Sequence, residues 1–157
     1  MVNKQNLCQF LVAAKKSTYA AGDAAKKIKE ADNSTTLIFE SGDWKYHDNY
    51  FGGEPYGGRE VVFFQGRPVF MMVYYGFVDE NVPDVNLVYG TLQGALTLIP
   101  EDKPFRGPKF FTNNGFKYEN EFSGDIENFS GTEIIKNSAG EVVYQARYSG
   151  GLVDQRK

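Results

Sequence analysis

The chain has 157 residues, of which 41% are hydrophobic and 24% are charged, and its formal net charge is −3. This length and composition suit one folded domain over residues 1–157, and they exclude a disordered segment or a small scaffold that depends on disulfides. The acidic balance argues against a nucleic-acid partner or an anionic membrane surface. Cys8 is the single cysteine, which predicts a cytoplasmic protein without a disulfide or a cysteine-based zinc site. No apolar run approaches the roughly twenty residues that a membrane span requires.

The beginning of the chain predicts one helix followed by a polar connection. Between positions 3 and 16 the apolar residues recur at the three-and-four spacing of one helical face. Asn3 stands where an N-cap is expected. Residues 19–35 carry few large apolar side chains, so we interpret them as a loop.

Four strand-like segments follow, and turn signals separate them. They cover residues 36–40, 43–51, 59–65 and 68–78. Their spacing predicts an antiparallel meander. The last segment, PVFMMVYYGFV, is apolar on both alternations, which predicts a central strand covered on both faces.

The rest of the chain predicts a second helix and three more strands. Residues 84–98 have one apolar helical face and Pro100 follows them. Residues 116–122 alternate between apolar and polar side chains, and residues 132–136 and 141–148 read as a hairpin. The predicted fold class is therefore α+β, a single domain with a twisted antiparallel sheet of about six or seven strands and two helices.

The stretch YFGGEPYGGRE, residues 50–60, contains two glycine pairs. A dinucleotide fingerprint needs a different spacing and a helix after it, whereas a strand, EVVFF, follows here. We therefore interpret the glycines as positive-φ residues in a wide hairpin loop, with Pro55 at one corner.

The stretch DWKYHDNY places one acidic side chain among aromatic ones. Trp44, Tyr46, Asp48 and Tyr50 alternate in sequence, so they lie on one side of a strand. Such a face could bind a cationic or planar ligand by stacking and by one carboxylate, or it could present a general base. The alternative is that Asp48 is a hydrogen-bond anchor for the glycine hairpin.

Burial would raise the pKa of Asp48 unless a cation or amide donors hold its charge. Three arginines in nearby predicted loops are candidates for that cation. They are Arg59, Arg67 and Arg106.

A pair of carboxylates is the second chemical possibility. Asp48 and Glu60 stand at the two ends of one predicted hairpin and could approach each other, which would permit acid/base chemistry of the glycosidase type. Glu133 on a later strand is a third carboxylate of this kind.

Other catalytic arrangements find little support. His47 is the only histidine, and strand alternation sends it to the opposite side from Asp48. One histidine and one cysteine on different elements do not make a transition-metal site, and no spacing nominates a serine for a triad. We therefore expect no metal and no cofactor.

Three segments, YFGGEPYGGREVVFFQGRPVFMMVYYG, ALTLIPEDKPFRGP and VVYQARYSGGL, resemble an uncharacterised bacterial domain family of unknown function. The resemblance extends from roughly Leu7 to Leu152, and some members of that family carry the domain after an N-terminal helix-turn-helix of the Xre type. It implies no activity and no catalytic residues. By analogy, the fusion suggests a domain that senses a small molecule or mediates assembly.

The sequence therefore predicts a small-molecule-binding or sensor-like module with no nucleic-acid or membrane partner of its own. The predicted ligand-binding residues are Trp44, Tyr46, Asp48, Tyr50, Glu60 and Arg106. The alternatives are a carboxylate enzyme that uses Asp48 and Glu60, and a protein–protein interaction module that pairs through an edge strand or an aromatic patch, including with a second copy of itself.

Overall fold

A computed structural model of the chain describes residues 1–156 as two helices and one nine-stranded antiparallel sheet. The helices are α1 (Lys4–Ser17) and α2 (Val85–Leu96), and a short 3₁₀ segment (Tyr19–Ala24) follows α1. The strands are β1 (Ile28–Lys29), β2 (Thr35–Ser41), β3 (Trp44–Gly52), β4 (Tyr56–Phe64), β5 (Arg67–Val78), β6 (Phe110–Asn113), β7 (Phe116–Asp125), β8 (Asn128–Lys136) and β9 (Val142–Leu152).

Both predicted helices are confirmed, and capping side chains explain where they begin. The Asn3 side chain accepts a hydrogen bond from the Asn6 amide at 3.0 Å, and the Asp84 side chain accepts one from the Asn86 amide. Each cap satisfies an amide that has no partner inside the helix. No helix within residues 1–156 is both long enough and apolar enough to cross a membrane.

The sheet consists of two meanders that meet in its middle. Its strand order is β1-β2-β3-β4-β5-β9-β8-β7-β6, so the β5–β9 pair joins the first meander to the second. The predicted count of six or seven strands was too low, because β1 and β6 were missed. These two strands have only two and four residues, and they form the two edges of the sheet.

Both helices pack against the same face of the sheet, which is called the covered face below. β5 is the central strand, as predicted, but the prediction that both of its faces are covered was wrong. Its burial alternates, with Phe70, Met72 and Tyr74 buried on the covered face. Val73 and Tyr75, on the other face, are 44% and 56% exposed. An apolar strand sequence therefore does not by itself show that a second layer exists.

The glycine-rich hairpin is tighter than the predicted wide loop. Only the three residues 53–55 separate β3 from β4, and of the four glycines only Gly52 has a positive φ, 79°. Gly57 and Gly58 lie inside β4 in extended conformation. A Cβ on Gly58 would lie 2.4 Å from the Asn49 carbonyl oxygen and 2.7 Å from the Tyr74 hydroxyl, so close packing explains this glycine.

Candidate functional site

Two acidic residues, Asp48 and Glu60, meet on the covered face. The antiparallel register of β3 and β4 puts them directly opposite each other. Their side chains belong to residues that are only 1% and 3% exposed. The two carboxyl groups therefore share one buried site under the helical layer.

Asp48 is held by a tyrosine rather than by an arginine. The Tyr74 hydroxyl donates a hydrogen bond to Asp48 Oδ1 at 2.5 Å. Gly58 lies opposite Tyr74 on β4, and its lack of a side chain lets this hydroxyl reach Asp48. Burial, followed by the charge of Glu60, raises the pKa of Asp48 to about 7, and the Tyr74 hydrogen bond opposes that rise.

Glu60 forms a buried ion pair with the last turn of α1. Lys15 Nζ lies 2.9 Å from Glu60 Oε2 and also donates a 2.6 Å hydrogen bond to the Phe105 carbonyl oxygen. The approach of Nζ to Oε2 lacks the directional geometry of a hydrogen bond, so the contact is an ion pair only. Burial lowers the pKa of Lys15, and the neighbouring Glu60 acts in the opposite direction.

Tyr46 completes this group of side chains. It is fully buried on β3, one inward position before Asp48. Its hydroxyl and Glu60 Oε2 are the two buried side-chain polar atoms within residues 1–156 that make no hydrogen bond of normal geometry. Burial, then the charges of Glu60 and Asp48, raises the pKa of Tyr46 well above its usual value. We call these five side chains, Lys15, Tyr46, Asp48, Glu60 and Tyr74, the Asp48 cluster.

A second buried ion pair lies beside the Asp48 cluster. Arg106 Nε donates to Glu133 Oε1 at 2.8 Å, and the Tyr118 hydroxyl donates to the other carboxylate oxygen. The Arg106 guanidinium carbon lies 5.7 Å from the centre of the Tyr19 ring and 5.8 Å from that of Tyr74. Arg106 therefore contacts the Asp48 cluster through the Tyr74 ring.

A small cavity lies between the two ion pairs. Its polar wall consists of Lys15, Tyr19, Glu60 and Arg106, and the 3₁₀ segment contributes Tyr19 and Ala20 to the lining. The cavity volume is about 10 Å³, which is room for one water-sized group. In this conformation the site is closed to larger molecules.

The charges in this part of the core do not balance if every group is ionised. The buried ionisable acids and bases are three carboxyl groups and two cations, Asp48, Glu60, Glu133, Lys15 and Arg106. Glu60 and Glu133 form the ion pairs, so Asp48 is the carboxyl group in excess. A neutral Asp48 restores the balance, which agrees with its raised pKa.

The structure brings together half of the predicted site residues and separates the others. Tyr46, Asp48 and Glu60 meet in one cluster, and Arg106 lies next to it but pairs with Glu133 instead of Asp48. The other two predicted arginine partners, Arg59 and Arg67, form no ion pair with Asp48 either.

Trp44 and Tyr50 share the strand face of Asp48 but do not reach its carboxyl group. The Trp44 ring stacks on Phe10 of α1 at 5.4 Å between ring centres, so it belongs to the apolar core. Tyr50 is half-buried and lies opposite Gly58.

Lys15 and Tyr74 were missed by the sequence analysis, although Lys15 had a usable signal. Lys15 follows Leu7 and Leu11 at four-residue intervals, so it is in phase with the apolar face of α1. A lysine in that phase is either buried with a partner or directed outward from the helix end. Tyr74 had no comparable signal, because the aromatic strand PVFMMVYYGFV offers several equivalent tyrosine and phenylalanine positions.

A family model described as a domain of unknown function, DUF5680, matches residues 48–153. Asp48, Glu60, Tyr74, Arg106 and Glu133 lie inside the matched range, whereas Lys15 and Tyr46 precede it. No curated protein and no solved structure matches the chain. Within residues 1–156 no three His, Cys, Asp or Glu side chains are grouped so that they could hold a metal ion.

Proposed function

This chain belongs to the DUF5680 family, and from the geometry of its Asp48 cluster we propose that it is a small-molecule-binding domain. The observation that carries the proposal is the poorly satisfied polar group beside the excess carboxyl group of Asp48: the Tyr46 hydroxyl and Glu60 Oε2 make no hydrogen bond of normal geometry, and Glu60 Oε2 is held by the Lys15 ion pair alone. Buried polar atoms in folded proteins nearly always have partners, so a cluster with two such atoms suits a ligand that supplies them.

The charge of the cluster indicates the chemical class of the ligand. Three buried carboxyl groups share two cations, and Glu60 Oε2 and the Tyr46 hydroxyl lack hydrogen bonds of normal geometry, although Glu60 Oε2 pairs with Lys15. A compact cationic group, such as an ammonium, would donate to Glu60 Oε2 and Tyr46 and would balance an ionised Asp48. The tyrosine rings around the cluster favour a cation in the same way.

Entry of such a ligand requires the lining of this small cavity to move, and the 3₁₀ segment, which contributes Tyr19 and Ala20, is the part of it that contains a glycine hinge. Gly22, within this segment, has φ 59° and ψ −127°, a conformation outside the helical range. A glycine in this conformation is a point where the segment can bend without a side-chain clash. Lys15 lies just before the segment, in the last turn of α1, so the segment that would move is next to the Lys15–Glu60 ion pair.

The test is a thermal-shift screen of small amines against the wild type, Asp48→Asn and Glu119→Gln. Asp48→Asn removes the carboxyl group that a bound cation would ionise and keeps the shape, whereas Glu119→Gln changes an acidic residue whose side chain is 29% exposed and serves as the control. A ligand at about 100 times its Kd stabilises the folded state by about 2.7 kcal/mol, or roughly 5–10 °C for a chain of this size. We expect that shift in the wild type and the control and not in Asp48→Asn. Equal shifts in all three proteins, or no amine that binds the wild type, would contradict the proposal.

A carboxylate enzyme is the second candidate, and the pKa of Asp48 favours it. A pKa of about 7 is suited to general acid/base catalysis near neutral pH, and Glu60 lies directly opposite. Any amine found by the screen should therefore be incubated with the protein and followed by mass spectrometry. Turnover that is lost in Asp48→Asn would favour the enzyme, and binding without turnover would favour the binding domain.

A further inference from the structure

The uncovered face of the sheet exposes large side chains at its centre. Val73, Tyr75 and Phe77 of β5 are 44%, 56% and 37% exposed, and they point away from the helices. Single exposed apolar residues are ordinary, but three on the central strand of an open face form a patch of the kind that partners cover. This face is separate from the Asp48 cluster and from the proposed ligand site.

The edges of the sheet offer less surface for a partner than its open face. The edge strands β1 and β6 contain two and four residues, and beside them residues 37–41 of β2 and 121–125 of β7 have no strand neighbour on their outer side. An edge of this kind offers a partner only a short row of backbone groups. The open face spans all the long strands of the sheet, so we consider it as the surface for association.

We propose that a second copy of this chain packs on the open face, around a two-fold axis that runs between β5 and β9 parallel to the strands. In a two-fold interface, residue i contacts residue j of the partner and residue j contacts residue i. Tyr75 and Arg147 are direct cross-strand neighbours, and both are exposed on this face. The axis between their strands therefore places each Tyr75 ring against the Arg147 guanidinium of the other copy, a cation–π contact that is made twice.

The neighbouring positions are complementary under the same axis. Val73 is the cross-strand neighbour of Ser149, so these two residues also meet across the interface. One strand farther out, Arg59 of β4 faces Ser130 of the partner's β8, and Gly57, over which the edge of the Tyr75 ring lies, faces Thr132, because each pair occupies the same row of the sheet. None of these pairs joins two like charges, and three of them place a larger side chain against a smaller residue.

The shape of the face is also suited to this arrangement. An open trough of about 810 Å³ runs over β5, β9, β8 and β7. Its floor carries small hydroxyl side chains, Ser130, Thr132 and Ser149. Larger side chains of β4 and β5 from a second copy, such as Arg59 and Val73, can enter this trough. The trough and the larger side chains of β4 and β5 therefore form one self-complementary surface.

The available area is sufficient for a stable dimer. Six strands at about 4.8 Å spacing and about seven residues at about 3.3 Å rise give roughly 670 Å² of flat area per copy. Side-chain relief makes the accessible area larger, which approaches the roughly 800 Å² per partner of standard interfaces. Two sheets stacked face to face with their strand directions within about 30° of each other are a common packing, so the two-fold pair resembles a β-sandwich.

The mass of the protein in solution tests this proposal. Light scattering coupled to size exclusion, at loads up to about 0.5 mM, should give the wild type twice the chain mass of 17.6 kDa. Tyr75→Arg places an arginine against Arg147 in each of the two contacts and should weaken dimerisation by at least about 100-fold. Leu87→Glu, at a 54% exposed apolar residue on α2, changes the helical side and should leave the dimer intact.

A mixture of two variants separates the two-fold contact from any effect on folding. Arg147→Glu alone loses both cation–π contacts, so it should be mainly monomeric as well. When it is mixed with Tyr75→Arg, one contact becomes Arg–Glu and the other keeps the native Arg–Tyr, so a mixed dimer should form. A wild type that stays monomeric at about 0.5 mM overturns the proposal. So does a dimer that survives Tyr75→Arg, or a mixture that stays monomeric beside a dimeric wild type.

Discussion

Asp48 and Glu60 lie directly opposite each other on β3 and β4, yet of these two carboxyl groups only that of Glu60 forms an ion pair with a described residue. Lys15 holds Glu60, and the Tyr74 hydroxyl holds Asp48. The two carboxyl groups are equally buried, but Glu60 has a cationic partner and Asp48 has a neutral one. The difference makes Asp48 the group that carries the proton, and it leads to measurable consequences.

The contribution of Asp48 to the stability of the protein should decrease as the pH rises from about 4 to about 7. Asp48 in the unfolded chain loses its proton near its ordinary pKa of 3.8, whereas the folded protein retains it up to about pH 7. Between these values the folded state binds a proton that the unfolded state has lost, so a higher pH favours unfolding, and above about 7 the effect is complete. Urea unfolding between about pH 5 and about pH 8 should show wild type losing roughly 3 kcal/mol relative to Asp48→Asn. Parallel pH profiles for the two proteins would contradict the assignment of this proton to Asp48.

Removing Lys15 should cost more than removing both members of its ion pair. Lys15→Met leaves Glu60 buried without a cation, which should lower the free energy of unfolding by about 3–5 kcal/mol. Adding Glu60→Gln removes the stranded charge, so the double variant should regain about 2 kcal/mol over Lys15→Met. Chemical denaturation of both single variants and the double variant measures this coupling. Simple additivity of the two changes would show that the pair is not coupled.

Tyr46→Phe and Tyr74→Phe should have opposite effects on stability. The Tyr46 hydroxyl is buried without a hydrogen bond, so its removal should leave the protein equally stable or raise stability by about 1 kcal/mol. The Tyr74 hydroxyl donates to Asp48, so its removal should cost about 1–3 kcal/mol. If a ligand uses the Tyr46 hydroxyl, Tyr46→Phe should weaken that ligand while the protein itself loses no stability. Calorimetry with a compound from the amine screen gives both values, and a Tyr46→Phe protein as unstable as Tyr74→Phe would refute the unpartnered hydroxyl.

Gly58→Ala should destabilise the protein strongly, whereas Gly53→Ala should not. A Cβ at position 58 would lie 2.4 Å from a backbone oxygen and 2.7 Å from the Tyr74 hydroxyl, so β4 or Tyr74 has to move. A Cβ at position 53 meets nothing within 4 Å, and φ there is not positive. We expect a loss of about 2–4 kcal/mol for Gly58→Ala and a change within about 1 kcal/mol for Gly53→Ala. Similar melting temperatures for the two variants would show that Gly58 is not a packing requirement.

The sequence predicted the long elements well because each carries its own periodic signal. Both helices and seven of the strands have enough residues to show an apolar face or an alternation. β1 and β6 have two and four residues, which is too short for any alternation to be seen. β1 and β6 are strands because they pair with β2 and β7, so their own residues give little indication of strand structure.

Of the candidate site, the sequence predicted only the residues that strand alternation and one hairpin bring together. Alternation along β3 placed Tyr46 and Asp48 on the same side, and the hairpin brought Glu60 opposite. Arg106 pairs with Glu133 because of the path that the loop before β6 takes over the sheet. No local sequence pattern predicts that path. The open face of β5 depends likewise on where both helices pack, and its apolar sequence suits either a covered strand or a contact surface.

The junction between β5 and β9 sets the order in which the sheet can form. β5 is continuous with β1–β4 in the chain, but its other neighbour, β9, comes after α2 and β6–β8. The central pair of the sheet is thus its most distant pair in sequence, a feature that slows folding because a long loop must close first. Until residues 142–152 arrive, the first meander presents β5 as a long, apolar, unpaired edge, which is the state of this molecule most exposed to aggregation.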